Sequence, residues 1–95
     1  MIVAEFSITP VTGDKLKPYI DAAVNVVKRS GLKYEVDALS TTIEGDIDQI
    51  FEVVKKAHNA VMQQGADRVL TEIRIDDRRA GVTIQEEVEA YRASV

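Results

Sequence analysis

The chain has 95 residues, 45% hydrophobic and 29% charged, with 16 acidic against 12 basic side chains, a net charge of -4 and no cysteine. A chain this short buries only about 60–65% of the surface its unfolded form exposes, so residues 1–95 read as one small domain with a thin core. The missing cysteine excludes disulfides, thiolate zinc sites, iron–sulfur clusters and thiol nucleophiles, and an acidic balance without tryptophan or a basic cluster argues against nucleic acid.

No apolar run approaches the roughly 20 residues of a membrane span, and the opening MIVAEFSITP carries Glu5 and no basic leader, so a cytoplasmic protein is expected. Residues 2 to 8 alternate, with Ile2, Ala4, Phe6 and Ile8 on one side and Val3, Glu5 and Ser7 on the other, which predicts a strand ended by Pro10. From Asp14 to Ser30 the period becomes helical, with Leu16, Tyr19, Ile20, Ala23, Val24 and Val27 as the inward stripe and Gly31 as the stop. Pro18 must fall in or near the first turn, which allows a start a residue or two later.

Two strand-like runs follow, Lys33 to Leu39 and Ser40 to Gly45, with Tyr34, Val36, Ala38, Thr41 and Ile43 inward and Glu35, Asp37, Thr42 and Glu44 outward. Asp46 with Gln49 three residues on is a capping box opening a second helix with the stripe Ile47, Ile50, Phe51, Val54, Ala57 and Val61, ended at Gly65. A last strand, Arg68 to Arg78, directs Val69, Thr71, Ile73 and Ile75 one way and Arg68, Glu72, Arg74 and Asp76 the other, broken only by Leu70. Thr83-Ile84-Gln85-Glu86 opens a short helix with Ile84, Val88 and Tyr91 as its apolar residues, to be covered by the sheet edge or by a neighbouring subunit.

The order β-α-β-β-α-β plus a terminal helix is the α+β ferredoxin-like pattern, a four-stranded antiparallel sheet with two helices on one face. The other face then gathers Glu5 and Ser7 beside Thr42 and Glu44, with Glu35 and Asp37 on one flank and Glu72 and Arg74 on the other. Five carboxylates on one sheet face repel one another unless solvent, an arginine or a bound cation compensates. The face is either simply solvated or a place for a small polar cationic or amino-bearing molecule.

Four stretches in order carry a resemblance: Met1-Ile2-Val3-Ala4-Glu5-Phe6-Ser7-Ile8-Thr9-Pro10, Ser40-Thr41-Thr42-Ile43-Glu44-Gly45, Gly65-Ala66-Asp67-Arg68-Val69 and Ile73-Arg74-Ile75-Asp76-Asp77-Arg78-Arg79. Nearly the whole chain resembles the small thiamine-binding protein family, related to the YkoF-like hydroxymethylpyrimidine/thiamine binders. The resemblance implies a ferredoxin-like domain that pairs into dimers and tetramers through its sheets and holds thiamine or its pyrimidine half without a known reaction. It implicates Ser7, Thr41, Glu44, Asp77 and Arg78. Thiamine suits the acidic face, since carboxylates and hydroxyls match its aminopyrimidine and the acidic surroundings its thiazolium cation.

His58, the lone histidine, lacks companions for a metal site and reads as structural. Asp76-Asp77-Arg78-Arg79 reads as a charged strand exit forming ion pairs, and Tyr19, Tyr34 and Phe6 as core. No G-x-S-x-G, H-E-x-x-H, P-loop or G-x-G-x-x-G occurs. The leading expectation is a cytoplasmic, homo-oligomeric, non-catalytic binder of thiamine or a related pyrimidine, needing no cofactor or metal. Ser7, Thr41, Thr42 and Glu44 are its expected contacts, with Glu5, Asp37 and Arg74 shaping the charge. Two alternatives stand beside it: a small dimeric ferredoxin-like enzyme for an apolar or aromatic substrate, and a purely structural tetramer.

Overall fold

The computed structural model describes residues 1–92. Along the chain lie β1 (Ile2–Pro10), α1 (Lys17–Ser30), β2 (Lys33–Val36), β3 (Thr41–Gly45), α2 (Ile47–Gln63), β4 (Val69–Asp76) and α3 (Ile84–Arg92). All neighbouring strands are antiparallel, in the order β2-β3-β1-β4, which is the α+β ferredoxin-like arrangement. Alternation sends Ala4 and Phe6 of β1 and Ile43 of β3 to one face. There they meet Val27 of α1 and Ile50, Val53, Val54 and Ala57 of α2 in the main core. At the start of α2 the capping box is complete: Asp46 Oδ1 accepts the Gln49 N–H at 2.8 Å and Gln49 Oε1 accepts the Asp46 N–H at 3.0 Å. Two backbone donors that the helix itself cannot satisfy are thereby paired.

Several boundaries and faces depart from the sequence pattern, each for a local reason. α1 starts at Lys17 rather than Asp14, because Asp14 is held in a turn by the Thr12 hydroxyl (Asp14 N–H to Oγ1, 3.1 Å) and Pro18 fits only the first turn. β2 stops at Val36 because the Asp37 N–H donates to the Ser40 carbonyl at 2.9 Å, reversing the chain before Ala38 can take a strand position. Tyr34 and Val36 keep the expected parity, opposite Ile43 and Thr41, yet remain exposed on the edge strand of the sheet. The α1 stripe likewise turns toward Tyr19, Ala23, Val26 and Val27. Leu16 and Ile20 are left bordering a shallow apolar cleft of about 190 Å³ with Val36 and Leu39. On α2, Ile47 and Phe51 are exposed as well.

β4 ends at Asp76 rather than Arg78, where its pairing with β1 ends at Val3–Asp76. The chain then turns at Gly81, whose φ of 81° favours glycine, and the Val82 N–H donates to the Met1 carbonyl at 3.0 Å. That turn carries α3 onto the face opposite α1 and α2, where Val82 and Ile84 bury Val3. The second face is therefore open only in part. His58 is half-buried with Nδ1 2.6 Å from the Thr71 hydroxyl, a structural pairing as its surroundings in the sequence suggest.

Candidate functional site

The pairing register builds the open face in rows. One row crosses all four strands as Glu35, Thr42, Glu5, Arg74, and the next as Lys33, Glu44, Val3, Asp76. Ser7 pairs with Glu72 one step further along β1, past the end of the β3 pairing. Glu5 is at the centre of the first row. Its Oε1 accepts from Arg74 Nη1 at 3.3 Å and its Oε2 from the Ser40 hydroxyl at 3.1 Å, so both oxygens are directed by neighbours on different strands or turns.

α3 forms the wall of a cleft of about 360 Å³ over these rows. Glu5, Glu35, Asp37, Thr42, Arg74 and Asp76 line it from the sheet and hairpin, and Ile84, Glu87 and Val88 from α3, with Val3 and Ile75 completing the surface. Five carboxylates thus share the cleft with one arginine. Four of the residues expected at a site meet here: Glu5, Asp37, Thr42 and Arg74. Ser7 lies beside Glu5 in a small adjoining recess with Ser40, Glu72 and Arg74. Thr41 is on the helix-covered face with Ile43, as its parity requires, and Glu44 is buried beneath α3, 6% exposed, with Oε1 accepting the Ile84 N–H at 2.8 Å.

Asp76 and Glu87 were not singled out by sequence reasoning as site residues. Parity alone places Asp76 on this face, but nothing local reveals that α3 returns to it with Glu87. Arg78 joins the two, with Nη2 2.7 Å from Glu87 Oε1 and 3.1 Å from Asp76 Oδ2, and Nε 3.3 Å from Asp76 Oδ1. The hydrogen bond from Arg78 holds the Asp76 carboxyl below its ordinary value, with contact to Glu87 acting the same way. Its hydrogen bond to Asp76, followed by desolvation, holds the Glu87 carboxyl above its own. Arg78 is raised in turn, chiefly by its bond to Asp76. Asp77 is exposed.

Chemically, the cleft offers negative charge on several sides, one threonine hydroxyl, one guanidinium and apolar lining from Val3, Ile75, Ile84 and Val88. Such a set accepts N–H groups from a small cation whose body is partly apolar. Among the described residues, no group of three or more histidine and carboxylate side chains is arranged to hold a metal ion, and no helix is long and apolar enough to cross a membrane.

Comparison with known proteins adds an independent line. Residues 4–92 match the profile of a family described as thiamine-binding protein. A UPF0045 protein of Methanothermobacter thermautotrophicus is 38% identical over 99 residues, covering 100% of both chains. Among solved structures, a Bacillus cereus domain of unknown function, DUF77, superimposes with a TM-score of 0.90 at 40% identity, over 98% of this chain and 91% of the other. A Thermotoga maritima protein proposed to act in thiamine biosynthesis or salvage superimposes with a TM-score of 0.88 at 33% identity, over 96% and 98% of the two chains.

Proposed function

The chain belongs to the thiamine-binding protein family, and from that premise we propose that it binds thiamine or a related hydroxymethylpyrimidine, without turning it over, in the acidic cleft between the open sheet face and α3. The observation that carries this reading is the lining itself: Glu5, Glu35, Asp37, Asp76 and Glu87 set against the single guanidinium of Arg74, with apolar side chains between them. Glu5 and Asp37 accept from the amine N–H groups, the Thr42 hydroxyl donates to a ring nitrogen, Arg74 sets the charge, and Ser7 borders the site from its recess. A thiazolium cation gains from the same carboxylates. Carboxylates, one threonine and one arginine suit holding a cation better than activating a nucleophile, which favours binding over catalysis.

We further infer that the protein works in the cytoplasm as a homo-oligomer, a tetramer in the family's manner. Its support is the amount of apolar surface the single chain leaves uncovered, with Leu39 91% exposed and Leu16, Ile20, Phe51 and Leu70 each about half exposed. Light scattering tests the assembly. Titration calorimetry with thiamine, thiamine monophosphate and free hydroxymethylpyrimidine tests the ligand. Saturable binding is expected, tightest for thiamine, because the monophosphate brings negative charge to the carboxylates and the pyrimidine alone lacks the cation. Absence of saturable heat with all three would overturn the assignment.

A further inference from the structure

α3 has little apolar area with which to hold its place on the sheet. Ile84 is buried, but Val88 is only half-buried and Tyr91 is 75% exposed. Polar groups do the rest. The Thr83 hydroxyl caps the helix itself, accepting the Glu86 N–H at 3.1 Å, and two ties reach outside it: Arg78 bonds Glu87, and the Ile84 N–H donates to Glu44 Oε1 at 2.8 Å. The last of these is different in kind, because it spans 40 residues and fastens the first turn of α3 to a strand next to the sheet centre. A carboxylate at this helix start also complements the partial positive charge of the unpaired N–H groups.

Glu44 is the one buried charged residue among those described. A carboxylate withdrawn from water needs a donor, and the Ile84 N–H provides it. Meanwhile α3 contributes Ile84, Glu87 and Val88 to the cleft, whereas Glu44 does not line it. We propose that Glu44 is a positioning residue for the cleft: it acts on a bound molecule through α3, by capping the helix and so fixing the wall that carries Glu87 and Val88, and not by lending its charge to the ligand. The inference rests on the reading of the cleft as the thiamine site, and it deepens that reading by separating the carboxylates that touch the ligand from the one that holds the wall.

The two roles diverge in one pair of substitutions. Glu44→Gln removes the charge but keeps an oxygen able to accept the Ile84 N–H, while Glu44→Ala removes both. Thiamine affinity by calorimetry is expected to stay within about twofold of the parent in Glu44→Gln and to fall about fivefold in Glu44→Ala, with faster dissociation, from the usual worth of a helix cap and the reduced share of molecules with the wall in place. Amide hydrogen exchange over Ile84 to Glu87 is expected to quicken in Glu44→Ala and to match the parent in Glu44→Gln. Thr83→Ala, which loosens the same helix end without touching the sheet, is expected to move affinity and exchange in the direction of Glu44→Ala and serves if that variant does not fold. Equal loss of affinity in Glu44→Gln and Glu44→Ala would overturn the proposal, as would unchanged affinity in Glu44→Ala. If the parent does not bind thiamine, the reading of the site fails separately. The exchange data then decide the positioning role: unchanged α3 exchange in Glu44→Ala overturns it, and quickened exchange that Glu44→Gln restores supports it.

Discussion

Replacing Glu5 by glutamine takes one charge from the middle of the cleft and changes little else. The side chain keeps its length and an oxygen for the Ser40 hydroxyl, while the ion pair with Arg74 is lost. That pair is 3.3 Å long with the Arg74 side chain 86% exposed, so its net worth lies in the range of about 0–1 kcal/mol typical of solvated pairs. The melting temperature is therefore expected to fall by no more than about 4–8 °C. A charge-assisted hydrogen bond to a bound cation is worth more, about 1.5–3 kcal/mol, which corresponds to roughly a tenfold to hundredfold loss of affinity. Parallel thermal denaturation and thiamine calorimetry on parent and Glu5→Gln give both quantities. An unchanged dissociation constant would refute the reasoning, and so would a loss of affinity no greater than the loss of stability.

Proton release on binding provides a second test. The raised Glu87 carboxyl contributes to folding stability while protonated, below its ordinary value of 4.5, and that contribution is lost as pH rises through its folded value; the lowered Asp76 contributes above 3.8 and loses it as pH falls through its own folded value. A cation entering the cleft favours ionised Glu87, so binding at about pH 5 is expected to release protons and binding at about pH 7.5 to release none, read from calorimetry in buffers of different ionisation enthalpy; identical proton release at both values would contradict this. Ile50→Ala, at a position 0% exposed between sheet and α2, is expected to cost about 2–5 kcal/mol in denaturant unfolding, and a loss under 1 kcal/mol would mean the site collapses to fill the space. Asp46→Ala removes one half of the capping box and is expected to cost about 1 kcal/mol by the same measurement, with Asp46→Asn retaining most of it.

Much of this arrangement was legible from spacing alone. The Asp46–Gln49 box is local chemistry, three residues apart, and it forms as written. The row Glu35, Thr42, Glu5, Arg74 follows from two-residue alternation combined with the strand order, since each is an outward position on its own strand. Thr41, adjacent to Thr42, falls on the opposite face by the same alternation. What spacing does not encode is which surface a short helix will choose. α3 has only a few apolar residues, and the turn at Gly81 that directs it to the open face depends on pairing with Met1 at the far end of the chain. The burial of Glu44 and the entry of Glu87 into the cleft both follow from that single choice. Leu16 and Ile20 belong to a sound helical stripe, but period alone cannot say that β2 is too short to lie beneath them.

Chemical-shift mapping of the labelled protein during a thiamine titration tests the central claim most directly. The largest changes are expected on Glu5, Thr42, Arg74 and Glu87, while Leu16, Ile20 and Leu39 on the apolar cleft at the other side stay fixed. Changes concentrated on that apolar cleft, or saturable binding that leaves Glu5 and Thr42 unmoved, would contradict it.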